Sequence, residues 1–169
     1  MTQFDEFDHD WHHDGRVTTF SWLGDVEAAT DRVYALAFVP EGSMLLVSER
    51  SNDSVFWLPG GGIEEGETEI PALQRELLEE AGATLHSYAR LGIQRSEDDV
   101  WGVQHEAFFW ARITLDPSFE PQHEIGGYTL VPPGDFLDTL FWGRSDPKAE
   151  MLLRSAVERE RLSERTSRP

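Results

Sequence analysis

The sequence predicts a single α/β domain, in which a mixed sheet is flanked by helices, and three observations support this. Short runs rich in β-branched and aromatic residues recur along the chain, and two amphipathic helical patterns fall among them. No internal repeat or linker-like stretch divides the chain. With 169 residues, 39% of them hydrophobic, the chain is long enough for one sizeable core.

In chain order, residues 1–15 are expected to form a mobile tail, acidic and aromatic, without the basic start and apolar stretch of a signal peptide. His9, His12 and His13 are read as part of that solvated end rather than as a transition-metal site. The domain itself is placed at residues 16–163. Residues 16–23 suit a first strand, and 32–39 and 43–50 are the clearest strands, joined through Pro40-Glu41-Gly42 as a hairpin. After the turn at 51–53, a short strand at 55–58 runs into Pro59 and three glycines.

The next stretch, from Gly60 to Ala83, reads as a glycine-rich loop followed by a helix. Thr68 is placed as N-cap, Pro71 falls in the first turn where a missing N–H is tolerated, and Gly82 stops the helix. Beyond it, strands are expected at 85–95 and 101–113, separated by an acidic turn at 96–99. A polar loop at 116–127 precedes a short strand at 128–131, and Pro132 to Asp135 starts a helical turn. A C-terminal helix from Asp146 to about Leu162 turns Met151, Leu152, Ala156 and Val157 inward, and residues 164–169 are expected to fray.

Composition narrows the functional classes. The absence of cysteine excludes a disulfide framework and a zinc–thiolate site. No apolar run reaches the length of a membrane span, so a cytoplasmic protein without membrane partners is expected. The net charge of −18 argues against a nucleic-acid polymer, whose backbone is held by basic side chains. A small polyphosphate stays compatible with that charge, because divalent cations can mediate between carboxylates and phosphates.

Chemistry concentrates in the helix of the glycine-rich stretch. Ile70, Leu73, Leu77 and Ala81 form one apolar stripe, and Glu69, Glu76, Glu79 and Glu80 gather on a neighbouring arc of roughly 100°. Glu76 and Glu80 are like charges four apart, which costs about 0.2–0.5 kcal/mol. Glu79 and Glu80 also lie at the negative end of the helix dipole. A divalent cation would reverse both costs, and clustered carboxylates are suitable hard ligands for Mg2+ or Mn2+. On the helix alone, a solvated acidic face is the competing explanation.

The spacing around that arc is Gly61, five residues, Glu67, seven residues, Arg75-Glu76-Leu77, one residue, Glu79-Glu80, one residue, Gly82 and then Ala83. This resembles the Nudix box of the Nudix hydrolases, with every charged and glycine position filled. Ala83 departs from it, standing where the family usually carries a larger aliphatic residue. The resemblance implies an α/β/α sandwich with a mixed sheet, and a metal-dependent pyrophosphohydrolase cleaving a phosphoanhydride in a nucleoside diphosphate derivative. It implies Mg2+ or Mn2+ held by Glu76, Glu79, Glu80 and the carbonyl of Gly60. An orienting Arg75–Glu67 ion pair, with Gly61 and Gly82, would shape the loop and helix.

For the catalytic base, Glu79 stands first within the box and Glu76 next. Outside it, Glu124 leads Glu120 and His123, in a loop that resembles the acidic loop before the last strand of many relatives. Arg50 is read either as a phosphate contact or as a surface strand-end arginine, and Trp101 either as a base-stacking ring or as a core or rim aromatic. Positions 98–101, Asp-Asp-Val-Trp, lack the proline and tyrosine that mark many relatives acting on ADP-ribose and dinucleoside polyphosphates. The coenzyme A-type pattern is missing too. By elimination the expected substrate is a free nucleoside di- or triphosphate. A nucleotide sugar, ADP-ribose or a dinucleoside polyphosphate is the alternative, and a non-catalytic metal- or nucleotide-binding module is another. Relatives are often dimers, so a homodimer is open, with residues 136–142 as either its contact surface or a core edge.

Overall fold

Nine strands share one mixed sheet in the computed structural model, which describes residues 4–121 and 125–166. The path through it is β1 (His9–His13), β2 (Arg16–Gly24), β7 (Ala83–Asp98), β8 (Gly102–Leu115), β3 (Arg32–Phe38), β4 (Met44–Glu49) and β5 (Asn52–Trp57). Two strands lie off this path: β6 (Gly60–Gly62) pairs with β3, and β9 (Ile125–Val131) with β4. β3 and β8 run parallel, in register from Arg32↔Glu106 to Phe38↔Arg112, whereas the other strand pairs of the sheet are antiparallel.

Side-chain alternation along β3 divides the core into two layers. Val33, Ala35 and Ala37 face α1 (Glu69–Ala81) and share a buried cluster with its Ala72, Leu73, Leu77 and Ala81. The small residues at 35, 37, 107 and 111 allow the helix close to the sheet, and Leu73 and Leu77, fully buried, each contribute about 1.5–3 kcal/mol. Leu36 and Phe38 point the other way and cluster with Phe108, Trp110, Phe136 of α2 (Phe136–Thr139), and Leu152 and Ala156 of α3 (Ala149–Thr166). The result is an α/β/α sandwich with a mixed sheet. Among the described residues, no helix is long and apolar enough to cross a membrane.

The two ends of α1 behave differently. Gly82 closes it in the left-handed conformation (φ 60°), its N–H reaching the carbonyls of Leu77 and Leu78. Thr68 occupies the N-cap position, but its hydroxyl makes no capping bond.

Several boundaries move outward from the sequence expectation. Residues 9–13, assigned to a mobile tail, form β1, because Asp14-Gly15 makes a two-residue hairpin turn with both residues at positive φ. The hairpin is held by Thr19 Oγ1 donating to Asp10 at 2.8 Å and by His9 stacking on Phe20, and Phe4 and Phe7 pack against the α3-side core. The glycines at 60–62 are a strand on β3 rather than a loop. β7 runs on through the expected acidic turn, which instead falls at 99–101, where Asp98 accepts the N–H groups of Val100 and Trp101. β9 starts at Ile125, and α3 starts later than expected and extends to Thr166, inside the segment expected to fray. In the 136–142 segment, Phe136, Leu137 and Leu140 are buried and Phe141 is exposed.

A buried ionic contact fixes α3 to the sheet. Glu160, 6% exposed, accepts from Trp110 Nε1 at 3.1 Å and from Arg112 Nε and Nη2 at 3.0 and 2.8 Å. Removing one partner of such a contact leaves the others desolvated and unpaired. Glu160→Ala is therefore expected to lower unfolding stability by about 2–4 kcal/mol, measured by urea denaturation.

Candidate functional site

The site begins where β6 is pressed between β3 and α1. Gly60 lies opposite Tyr34 at φ +142°, and a side chain there would run into the carbonyl oxygen of Val33. A Cβ on Gly61 would stand 2.5 Å from Glu76 Oε1. Glycine at both positions lets the strand pass directly beneath the carboxylates of α1.

Arg75 organises those carboxylates. Its Nε and Nη2 donate to the two oxygens of Glu67 at 2.9 and 3.0 Å, a two-pronged contact that suits the planar guanidinium. Nη2 also reaches the Gly62 carbonyl at 2.8 Å, while Nη1 meets Glu76 at 2.8 Å and Glu79 at 3.3 Å. Glu67 accepts the N–H of Glu64 as well, folding the 64–67 turn against the helix. The hydrogen bond to Glu67 does most to raise the pKa of Arg75, and the same contact lowers that of Glu67.

Glu80 stands apart from this network. Its Oε2 accepts the N–H of Gly60 at 2.8 Å. Burial pushes its carboxyl up to about 8, and the charges of Glu76 and Glu79 add to that against the opposing Gly60 hydrogen bond. Glu79 is the open member, with its side chain 60% exposed, whereas that of Glu76 is 14% exposed.

Among the described residues, no three acidic or histidine side chains are already gathered around one point as metal ligands. The donor chemistry nevertheless fits a hard divalent cation. Glu76, Glu79 and Glu80 each meet the protein through one oxygen and have a second to offer. Burial does most to raise the carboxyl of Glu80, and a cation beside it would favour the charged form. The amide of Gly60, expected to contribute its carbonyl, meets Glu80 through its N–H.

Beside the carboxylates, the sequence reasoning missed Arg32 and Tyr34. Arg32 pairs in register with Gly62 and donates from Nε to the Tyr34 hydroxyl at 2.7 Å. Burial works against its charge, but Tyr34, Glu106 and Glu76 outweigh that and raise its pKa. Burial also pushes the Tyr34 hydroxyl up to about 12. Both line a cleft of about 330 Å³ with Trp11, Arg16, Asp98 and Trp101. A second cavity, of about 320 Å³, shares Trp11, Phe20, Tyr34 and Glu106 with it and extends to Asp146 and Lys148 in the loop before α3. The available signal was strand parity: residues 32 and 34, like 94, 96, 104 and 106, fall on one face.

The remaining expected residues separate. Trp101 is 68% exposed on the β7–β8 turn and lines the cleft, so it is not a core residue. Arg50 is exposed on the β4–β5 turn, with Nη2 donating to the Pro121 carbonyl at 3.4 Å, and lines neither cavity. Glu120 is exposed, and His123 and Glu124 lie outside the described residues.

A glycine strand and an acidic helix joined through one arginine, on a mixed sheet between helical layers, define a Nudix fold with its box intact. The NUDIX domain family model matches residues 29–152, and the chain belongs to that family, whose members act on phosphoanhydride bonds and are typically dependent on divalent metal. A search of curated proteins finds no match. Among solved structures, the Bacillus subtilis pyrophosphohydrolase BsRppH is similar at TM-score 0.64 and 19% identity, over 92% of this chain and 97% of that one. The NUDIX domain of Shewanella oneidensis NrtR, solved with ADP ribose, is similar at TM-score 0.59 and 21% identity, over 79% and 90%. A Caenorhabditis elegans Ap4A hydrolase follows at TM-score 0.53 and 17% identity, over 73% and 93%. At these identities the likeness concerns the fold.

A ligand specific to the folded state must stabilise it, by about 2.7 kcal/mol at 100 times its Kd. Saturating Mg2+ or Mn2+ is therefore expected to raise Tm by roughly 5–10 °C in a chain of this size. The double change Glu79→Gln and Glu80→Gln should remove most of that rise in differential scanning fluorimetry.

Proposed function

We propose that the protein is a Mg2+- or Mn2+-dependent pyrophosphohydrolase acting on a free nucleoside di- or triphosphate. The observation that carries this reading is the continuity of the site. Box carboxylates, the Arg32 guanidinium and an aromatic cleft follow one another across the β3–β6 edge. A polyphosphate needs charge neutralisation at one end, and a base needs an apolar, stacking surface at the other.

Glu76, Glu79 and Glu80 would hold the cation, which when bound neutralises charge on the phosphates and polarises the attacking water. Arg75 fixes Glu76 and Glu79 in orientation, and Glu67 in turn fixes Arg75. Arg32 supplies a permanent positive charge on the cleft side, where it steadies the phosphate chain. Glu79, more exposed than Glu76, accepts a proton from water as the new P–O bond forms. The bridging P–O bond breaks, and the leaving phosphate carries away its electron pair.

The test is phosphate and pyrophosphate release with Mg2+ or Mn2+ across nucleoside di- and triphosphates, nucleotide sugars, ADP-ribose and dinucleoside polyphosphates. Glu79→Gln should lower kcat by on the order of 10²–10⁴-fold, whereas Glu67→Gln, acting through Arg75, should cost less. Metal binding without turnover of any compound would overturn the enzyme reading in favour of a binding module.

A further inference from the structure

The second cavity, closed by the loop before α3, combines aromatic walls with charged groups. Lys148, the single lysine of the chain and 2% exposed, pairs with Asp146. Its Nζ lies 5.3, 5.9 and 5.2 Å from the ring centres of Phe20, Phe108 and Trp142. An ammonium group so deeply placed is unfavourable unless it is fully coordinated, and the ring faces meet that need only in part.

Gln94 lines the same cavity and is 3% exposed. Its Nε2 donates to Glu106 Oε2 at 2.8 Å, and Ser96 Oγ donates to Glu106 Oε1 at 3.0 Å. A carboxylate only accepts, so this contact fixes which way the amide faces. Gln94 Oε1 is therefore turned away from Glu106, and no protein group among the described residues donates to it. A buried acceptor without a donor is rare in native proteins. None of these groups takes part in the hydrolytic step derived above.

The cavity is thus lined by Lys148, a buried cationic donor, and by Gln94, whose Oε1 is a buried acceptor without a donor, among aromatic side chains. We propose that it is the base-recognition subsite and that it selects a 6-oxopurine ring. The ring carbonyl accepts from Lys148, the neighbouring ring N–H donates to Gln94 Oε1, and the aromatic side chains cover the ring faces. Adenine inverts this edge, setting an amino donor against the ammonium and a bare ring nitrogen against the amide oxygen. Cytosine does the same. Uracil has a matching edge but only one ring, which leaves part of the cavity unfilled. The inference rests on the nucleotide-hydrolase reading, since that is what brings a nucleotide to the cleft.

Nucleoside 5′-monophosphates test it, because they contain no phosphoanhydride and so separate recognition from cleavage. Guanosine, inosine, adenosine, uridine and cytidine monophosphates are titrated into the full chain by calorimetry. The guanosine and inosine forms are expected to bind at least about tenfold more tightly than the other three. Gln94→Met should bring them down to the adenosine level. Should that variant fail to fold, the unaltered protein gives a second readout: guanosine monophosphate, but not adenosine monophosphate, protects Lys148 from acetylation, read by mass spectrometry.

Equal binding of all bases, a preference for adenosine or uridine, or selectivity that survives in folded Gln94→Met would overturn the subsite. Selective monophosphate binding without turnover of any triphosphate would support the subsite while removing the hydrolase reading. Turnover without base selectivity would do the reverse.

Discussion

The arrangement of the site depends on one guanidinium. Arg75 meets Glu67, Glu76, Glu79 and the Gly62 carbonyl, joining β6, the turn that follows it and successive turns of α1. Without it, Glu76 and Glu79 would lose the guanidinium that bridges them. With it, the like-charge cost along α1 is largely compensated inside the protein. That narrows the electrostatic case for a cation to Glu80, which has a backbone N–H for a partner rather than a positive charge.

What was legible in the sequence follows the range of the interactions. α1 could be bounded from residues within one turn of its ends: Pro71 starts it and Gly82 must stop it. The box could be found because its spacing lies within one loop and one helix. The glycine strand could not, because three glycines resemble a loop until β3 supplies the hydrogen-bonding edge. The N-terminal hairpin was missed for another reason: Asp14-Gly15 is a strong two-residue turn signal, but the acidic, histidine-rich residues before it resemble a solvated tail. Likewise, Glu97 and Asp98 look like turn residues, although pairing with β8 carries the strand past them.

Recognition residues were harder to read than catalytic ones. Arg32, Gln94, Glu106 and Lys148 come from three strands and the loop before α3, and no local spacing joins them. Their meeting depends on the parallel β3–β8 pair, which sets Arg32 beside Glu106, and on the antiparallel β7–β8 pair, which sets Gln94 opposite Glu106. A shift of one residue in either pairing would turn these side chains to the α1 face. Arg50 illustrates the converse: it is close to the box in sequence, yet β5 leads the chain away before β6 brings it back to β3.

The residues proposed for chemistry and for recognition therefore occupy opposite layers of one sheet. The carboxylates ride on α1, whose apolar stripe is fixed to Val33, Ala35 and Ala37. The cavity lies on the α3 side, among Tyr34, Phe108 and Trp142. The β3–β6 edge lies between the two, and Arg32 and Tyr34 stand there, with Gly60 too closely packed against β3 to carry a side chain. This separation has a physical consequence. Substitutions in the cavity can change which base is held without disturbing the Arg75 network, because the two share neither side chains nor hydrogen bonds. A fold built this way keeps one hydrolytic edge while the opposite face is free to vary its ligand.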